Sequence, residues 1–540
     1  DEFDTIPSGD MIFAAQGSGL QGNARTGDGF ATFLLGFVTS ATLRDQIPLR
    51  TQNYSLGGFL QDDWKVTPNF TLNLGVRYDV EPPPISPDDT FSGFSMTEIH
   101  PTARVPGVVK FANVDGFPRR IADVDRNNIA PRFGFAWRPG GSERRVIRGG
   151  YGIFFGNTND VGYGTGTNLG FSTEAAFVSP DQNQTAAFLL KDGLPRFDLP
   201  GPQSRTPAFG LNNNITFYER HRLAPYSQQF NFGVQQEMKG VMVELQYIGN
   251  LGRKLTSTDV SINQVRPERV GGTGTIQSRR PFPQFSNVTM VAPNWGASSY
   301  HGFVFHTEKR YQGGLQFLFN YTFSKFIDNV DHIASGDFGG TPGAGYQDFY
   351  NRQLDKALSP NDLRHNARFN VIWDLPLGVG RKWLTGGPAA QILGGWQLSV
   401  LGTLLTGPPY GVVTQNNTCE CSSAGAQRAN ILREPDLPED QRSAGRWFDT
   451  TAFSQPGRFL FGDAARSVGR APGKTQFDLG IMKNFAIRER FRLQFRGEMF
   501  NAFNNVNLGI PGTALGSPNF GAINNAADAR VVQLGLKIYF

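Results

Sequence analysis

The sequence predicts an all-β chain that forms an antiparallel up-and-down transmembrane β-barrel. Apolar and polar residues alternate along segments of strand length, and the connections between these segments are alternately short and long. Successive side chains of a strand point to opposite faces, so each alternating segment has one apolar and one polar face. Large soluble sandwiches and propellers do not sort their loops by length in this way.

The composition agrees with this fold class and argues against others. The 540 residues include 65 Gly and 46 Phe, and the formal net charge is +5. Glycine and aromatic residues in short alternating runs are typical of β-structure. No apolar run reaches the roughly 18 residues that a membrane helix needs, so only a barrel would span a bilayer. The basic residues are scattered, and we therefore expect no nucleic-acid partner.

Residues 1–52 are predicted to be a loop and short-helix segment that leads into the barrel. The apolar run from Asp28 to Ser40 favours a helix within a surface loop. The chain opens without the basic and apolar regions of a signal peptide. Because a transmembrane β-barrel must be exported, we expect that the natural start has been removed or that the chain is a fragment.

Residues 53–540 are predicted to form the barrel from six hairpins and a terminal strand, about thirteen strands of roughly 10 to 13 residues each. Pro68 and Asn69 form the first short turn. The hairpins are 53–64 with 70–79, 129–137 with 145–155, 226–238 with 241–250, 300–311 with 315–326, 367–374 with 396–400, and 475–487 with 491–504. Long extracellular loops are expected at about 81–128, 157–224, 253–297, 327–364, 408–473 and 505–528.

The two faces of the alternating segments predict the surroundings of individual residues. In a membrane barrel, the polar face lines the lumen and the apolar face meets outer-membrane lipid. The expected lumen-facing polar residues are Arg77, Arg132, Gln235, Glu244, Arg368, Asp374, Gln494, Arg496 and Glu498. Four tryptophans beside short turns are expected to form an aromatic girdle at the periplasmic interface: Trp64, Trp137, Trp373 and Trp396.

The chain ends on an alternating strand whose last residue is aromatic. One face of this strand carries Val532, Leu534, Leu536, Ile538 and Phe540. This end resembles the terminal strand of bacterial outer-membrane barrels, in which the final aromatic residue is part of the insertion signal. The resemblance implies the barrel assembly machinery as a partner. The alternative is an amphipathic strand that happens to come last.

Four long motifs carry a wider resemblance: YSLGGFLQDDWKVTPNFTLNLGVRYD (54–79), LSPNDLRHNARFNVIWDLPLG (358–378), RWFDTTAFSQP (446–456) and FRLQFRGEMFNAFNNVNLG (491–509). They are similar to TonB-dependent outer-membrane transporters, above all to the Oar-like branch. This resemblance implies a signal peptide, a carboxypeptidase-regulatory-like β-sandwich, a plug domain that contacts TonB, and a barrel of about 22 strands. The chain would supply the last thirteen strands and would lack the plug. An odd number of strands, of which the first starts outside, agrees with a missing beginning.

We expect neither an enzyme nor a cofactor or metal site. The six histidines do not have the spacing of metal ligands. Asp331, His332 and Asp337 could touch a metal at a loop tip, but a solvated loop is the better interpretation. Cys419 and Cys421 form either a local disulfide or two free thiols.

The predicted function is ligand uptake at the cell outer membrane. The complete protein would bind a large extracellular ligand with its long loops and import it with energy from the TonB system, as the resemblance implies. The ligand class stays open among siderophores, glycans and peptides. The alternatives are an Oar-like barrel for surface adhesion or secretion, and a passive porin.

Overall fold

In the part of the chain that the structure describes, thirteen long strands form one antiparallel sheet. The computed structural model describes residues 2–3, 10–20, 23, 26–46, 49–157, 169–181, 183–196, 205–329, 346–421, 427–488 and 491–540. Each long strand pairs with the next one along the chain. The strands are β1 (Leu56–Thr67), β2 (Phe70–Val80), β3 (Ile129–Trp137), β4 (Arg145–Phe155), β5 (Tyr226–Met238), β6 (Val241–Arg253), β7 (Ser298–Gln312), β8 (Leu315–Asp328), β9 (His365–Asp374), β10 (Trp396–Leu405), β11 (Lys474–Arg488), β12 (Phe491–Phe500) and β13 (Val531–Tyr539).

The up-and-down order confirms the predicted fold class. Strands β1 and β13 are the two edges of the sheet, and within the described residues they do not pair with each other, so the sheet is open there. The strands contain 9 to 15 residues, a wider range than the sequence predicts. Strand β8 extends towards the loops because its last residues pair with the short strand Ala357–Leu358.

The strand register keeps the two faces of the sheet separate. Directly opposed residues lie on the same face of an antiparallel pair. Leu74 is opposite Phe133, which is opposite Tyr151 on the next strand. On the other face, Arg132 is opposite Gly152, which in turn is opposite Gln229. The alternation that the sequence shows within single strands therefore continues across the sheet.

Short connections lie at one end of the sheet, which we call the turn end, and long connections lie at the other, which we call the loop end. Two of the turns, Lys239-Gly240 and Gly313-Gly314, have positive φ at both residues, as the type I′ turns of tight hairpins require. The long connections are L1 (81–128), L2 (156–225), L3 (254–297), L4 (329–364), L5 (406–473) and L6 (501–530).

The long loops fold into small sheets with hydrophobic cores of their own. L1 contributes the hairpin Ser92–Ile99 and Pro106–Phe111, while Asn214–Tyr218 of L2 pairs with Asn287–Val291 of L3. A second core joins L5 and L6, and it is centred on Tyr410, Phe448 and Phe520. The core that L1, L2 and L3 share is formed by Val109, Phe111, Phe171, Ile215, Phe217, Ile262, Phe282, Phe285, Val288 and Met290.

The N-terminal segment packs against L2. Helix α1 (Gly29–Leu34) begins after Asp28, whose carboxylate accepts hydrogen bonds from the backbone N–H groups of Phe30 and Ala31. Strand Ser40–Gln46 pairs with Ser172–Val178 of L2. The other α-helices of the described residues are α2 (Ile276–Arg279) and α3 (Gly387–Leu393), and the further helices there are 3-10 helices of three or four residues. None of these helices has the length and apolar character that a bilayer span requires. The remaining short strands are Glu2–Phe3, Asp10–Ile12, Phe37–Val38, Leu49–Arg50, Phe188–Leu189, Val260–Ser261, Pro409–Tyr410, Val413–Thr414, Asn430–Ile431, Phe453–Ser454, Gly469–Arg470 and Ala514–Leu515.

Candidate ligand-binding site

A cavity of about 710 Å³ opens at the loop end of β6, β7 and β8. This volume lies within the range of small-molecule sites, and the mouths of barrels are common places for such sites. The lining residues from the strand ends and L3 are Arg253, Trp295, Ala297, Ser298, Ser299, Ile327, Asp328 and Asn329; those from L4 are Arg352, Gln353 and Lys356.

Among the described residues that line the cavity, positive charge exceeds negative charge. The cations are Arg253, Arg352 and Lys356, and the carboxylate, Asp328, is paired with Arg466. The Arg352 guanidinium lies 4.1 Å from the centre of the Trp295 ring, a cation–π arrangement that orients both side chains. An anionic group that enters this cavity would therefore meet cations and an aromatic wall.

The partly buried carboxylate of Glu219, in L2, holds the Trp295 side chain in place. Glu219 accepts a hydrogen bond from Trp295, and burial raises the pKa of Glu219 above its ordinary value. Arg222, His221 and Arg352 oppose that rise, because nearby positive charges favour the ionised carboxylate. Trp295 is thus held by groups from two loops, L2 and L4.

Three ion pairs fasten L4 and the end of β8 to L5. Arg428 pairs with Asp355, Arg466 with Asp328, and Arg470 with Asp362. The three arginines also donate hydrogen bonds to backbone carbonyls: Arg428 Nε to Ala464 at 2.8 Å, Arg466 Nε to Asp355 at 3.0 Å, and Arg470 Nη1 to Gly407 at 3.1 Å.

Burial of these pairs shifts the acidity of their members. Burial raises the pKa of Asp355, an effect that Arg428 opposes, and burial lowers the pKa of Arg466 to about 10. Asp355 and Arg466 can remain buried because Asp355 binds an arginine, and Arg466 binds a carboxylate and carbonyl oxygens. Since Lys356 directly follows Asp355, this network also fixes the rim of the cavity.

The predicted lumen residues are spread along the sheet and do not form one cluster. Arg77 donates to Asp79 at 2.7 Å, and Glu244 accepts from Arg148 at 2.5 Å. Arg148 is not among the predicted lumen-facing residues. Its alternation with the apolar Ile147 indicates a polar face and was enough to predict it. A cavity of about 370 Å³ on this face includes Arg132.

The other residues of the predicted lumen set have neighbours along or across their strands. Gln235 is opposite Glu244, Arg496 is opposite Gly535, and Glu498 is opposite Gln533. The remaining hydrogen bonds are Arg368 Nε to Asn366 Oδ1 at 3.3 Å, Gln397 Nε2 to Asp374 Oδ1 at 2.9 Å, Arg381 Nη2 to Asp374 Oδ2 at 3.1 Å, and Gln494 Nε2 to Asn484 Oδ1 at 3.0 Å.

The tryptophans of the predicted girdle lie at the turn end. Trp64, Trp137 and Trp373 are exposed, while Trp396 is half-buried. A fifth tryptophan, Trp383, lies at the same end in the connection between β9 and β10 and is exposed as well. Sequence reasoning missed Trp383 because this connection is not a tight turn.

The predicted insertion residues form one exposed row along the edge strand β13. The row is opposite β12: Leu534 is opposite Gly497, and Leu536 is opposite Phe495. Phe540 follows the end of β13 and is 93% exposed. Val532 and Ile538 continue the row and are exposed too.

Cys419 and Cys421 form a disulfide bond, which decides between the two alternatives from the sequence. Both half-cystines are fully buried and pack with Val265 of L3. The described ranges contain no group of three or more acidic, histidine or cysteine side chains that could hold a metal. Asp331, His332 and Asp337 lie outside the residues that the structure describes.

The fold and its loop arrangement define a β-barrel protein of the outer membrane. Residues 1–533 match the family described as outer membrane beta barrel domain, and the chain belongs to this family. The cell outer membrane is therefore its location, and lipid surrounds it. No curated protein matches the chain significantly.

Several solved outer-membrane proteins are similar at low identity. The transporter YddB from Escherichia coli has 10% identity and a TM-score of 0.43, with 93% of this chain and 55% of that chain covered. The ferripyoverdine receptor of Pseudomonas aeruginosa has 9% identity and a TM-score of 0.40, with 91% and 39% covered. The FrpB iron transporter from Neisseria meningitidis has 11% identity and a TM-score of 0.37, with 95% and 47% covered. The chain thus spans 39 to 55% of these proteins.

Proposed function

We propose that this chain is the C-terminal barrel portion of a TonB-dependent outer-membrane receptor and transporter of the Oar-like branch. The proposed role is to bind a large extracellular ligand at the long loops and, in the complete protein, to import it with energy from TonB. The observation that carries the proposal is the basic cavity at the loop end, whose walls come from loops that are packed onto one another.

The packing of the loops supports recognition more than passive diffusion. Loops that fold around buried phenylalanines and are tied by buried ion pairs present a fixed surface. A fixed surface lowers the entropy cost of ligand binding. A passive porin has no need for such an ordered surface, because its solutes pass through without being held.

The charge of the cavity favours ligands that carry an anionic group. Arg352 and Lys356 come from the same turn of L4, and Arg253 faces the cavity from the end of β6. Carboxylates and phosphates pair well with guanidinium groups, which offer two parallel N–H donors. This chemistry fits many siderophores, acidic glycans and peptides, so it narrows the charge of the ligand but not its class.

Uptake of labelled probes in cells with and without TonB tests the proposal. Cells that produce the natural full-length protein would be given a fluorescent ferric siderophore, an acidic oligosaccharide and an acidic peptide. We expect accumulation of at least one probe that disappears when TonB is deleted. Accumulation that does not depend on TonB would overturn the proposal, and a steady open conductance in planar bilayers would favour a porin.

A pair of variants tests the cavity itself. Arg352→Gln combined with Lys356→Gln should lower uptake of the accumulated probe while the amount of folded protein stays the same. Arg458→Gln is the matched control, because Arg458 is an exposed arginine of L5 that pairs with Glu420 away from the cavity. Equal uptake by both variants would contradict the cavity as the ligand site.

A further inference from the structure

The connection between β9 and β10, residues 375–395, is the longest one at the turn end and exposes an apolar surface. Two backbone hydrogen bonds within the connection hold it in a compact shape. The N–H of Trp383 donates to the Pro376 carbonyl at 3.0 Å, and the N–H of Gly395 donates to the Leu377 carbonyl at 3.1 Å. Helix α3 lies within it. The exposed apolar side chains of this connection are Val379, Trp383, Leu384, Ile392 and Leu393.

A lysine of the sheet holds helix α3 against the barrel wall. Lys483 lies between Trp396 and Phe495 in the cross-strand register, on the face that carries the apolar residues. Its ammonium group donates to the carbonyl of Gln391 and, at 2.9 Å, to the carbonyl of Ile392. The indole N–H of Trp396 also donates to the Ile392 carbonyl, at 3.0 Å.

These bonds place the end of α3 on the outer, lipid-facing surface of the sheet. Lysine side chains near the last turn of a helix can satisfy its free carbonyl groups. Lys483 is only 4% exposed, so the helix covers a cation that would otherwise face lipid, where charge is costly. Helix α3 therefore shields the lysine with one side, while Ile392 and Leu393 on its last turn stay exposed.

The exposed apolar residues of the connection continue the apolar outer face of the sheet. Trp396 and the neighbouring Phe495 lie on that face, and their rings pack edge to face with centroids 5.8 Å apart. Next to the exposed Trp383 lies Lys382, whose ammonium group is 5.1 Å from the centre of the indole ring. Tryptophan beside lysine is the composition of a membrane–water interface, with apolar rings towards the acyl chains and cations towards phosphate.

We propose that residues 375–395 form a membrane anchor that docks onto the phospholipids of the periplasm-facing leaflet. Trp383, Leu384, Ile392 and Leu393 enter the boundary between headgroups and acyl chains, and Lys382 binds the phosphate groups. Short apolar segments with flanking cations lie in the interface in this way. The anchor fixes the height of β9 and β10 in the bilayer and keeps water away from Lys483.

Spin labels in reconstituted protein test this anchor. Ile392→Cys and, as a matched control from exposed L5, Leu432→Cys would each be labelled with a nitroxide after reconstitution into nanodiscs of phosphatidylethanolamine and phosphatidylglycerol. Oxygen concentrates in the bilayer, whereas a nickel chelate stays in water. We expect the label at 392 to collide more often with oxygen than with the chelate, and the label at 432 to show the reverse. Because Cys419 and Cys421 are paired, they do not react with the label.

Two outcomes would overturn the anchor. A label at 392 that meets the chelate as often as the label at 432 would show a water-exposed connection. A label that neither reagent reaches would show that protein, either a periplasmic partner or a second copy, covers the surface. Should Ile392→Cys fail to assemble, Leu393→Cys gives the same readout, and quenching of Trp383 fluorescence by brominated lipid, measured against Trp383→Phe, gives it without a label.

Discussion

Arg428 and Asp355 form an ion pair that joins L5 to L4 across 73 residues of chain, and the two side chains are only 8% and 1% exposed. Buried ion pairs cost desolvation energy, so their net contribution to stability is small, but removal of one partner leaves an uncompensated charge. We infer that the three arginine–aspartate pairs of this region determine where the loops sit more than how stable they are. The position of Lys356 at the cavity rim depends on them.

Arg428→Met should therefore open the contact between L4 and L5. Because Asp355 would be left buried without its partner, we expect a loss of about 3–5 kcal/mol in the local free energy of unfolding. Hydrogen-exchange mass spectrometry on peptides of L4 and L5 measures this loss, and strands β1 to β5 should keep their protection.

A second substitution separates charge from packing. Arg428→Met together with Asp355→Leu removes both charges and should recover most of the lost protection. The exposed pair of Arg458 and Glu420 provides the control, since Arg458→Met should leave exchange in L4 and L5 unchanged. If the single and double variants were equally open, packing of the arginine stem would explain the effect and the charge would not.

Phe285→Ala should unfold the loop core while the sheet stays intact. Phe285 is 0% exposed, and its ring packs edge to face on Phe94 of L1. Truncation of a buried phenylalanine costs about 3–5 kcal/mol, which is a large fraction of the stability of a whole domain. We expect peptides of L1, L2 and L3 to exchange together, and the heat-modifiable gel shift of the barrel to persist. Leu432→Ala, at an exposed position, should change neither property.

The sequence predicts the strands of the sheet, but it does not predict the contacts between the loops. Alternation in β2 or β13 is local, because each strand carries its whole pattern within about ten residues. The loop core has no such pattern, since Ile215 and Phe285 meet only after separate loops have folded. The cavity follows the same rule: Trp295 and Arg352 are 57 positions apart, and nothing in either stretch indicates that they stack. Local periodicity therefore predicts the barrel, while tertiary contacts decide the site.

Stability of L1 should fall in acid. Arg119 donates two hydrogen bonds to Asp89, at 2.5 and 2.9 Å, and this interaction holds the pKa of Asp89 below its ordinary value. A carboxylate with a lowered pKa stabilises the fold above its unfolded pKa, and this contribution is lost as the pH falls through the folded pKa. Exchange protection in L1, corrected for the intrinsic rate, should drop between about pH 5 and pH 2.

The variant Asp89→Asn isolates this contribution. It should be less protected than the native chain at neutral pH and should lose less protection than the native chain on acidification. An identical pH profile in the variant would show that other carboxylates of L1 cause the drop.

The two faces of β13 should respond differently to charge. Leu534 lies in the exposed apolar row, whereas Gln533 is opposite Glu498 on the other face. Arginine in place of Leu534 should cost about 2–4 kcal/mol if the residue lies near the bilayer midplane. Gln533→Arg should cost much less, because the lumen is hydrated. Refolding titrations into lipid vesicles measure both costs, and equal values would mean that the faces are assigned wrongly.

Deletion of Phe540 should lower assembly into the outer membrane without lowering synthesis. The residue follows the last paired residue of an edge strand, and its side chain is almost fully exposed, so the folded barrel loses no packing when it is removed. An effect on yield must then arise before folding is complete, at recognition of the terminal strand. The measurement compares heat-modifiable barrel with total protein for the deletion and for Phe540→Ala. Phe503→Ala, which removes another exposed phenylalanine, is the control and should assemble normally. A normal fraction of folded barrel in both Phe540 variants would leave the terminal aromatic residue without a role in insertion.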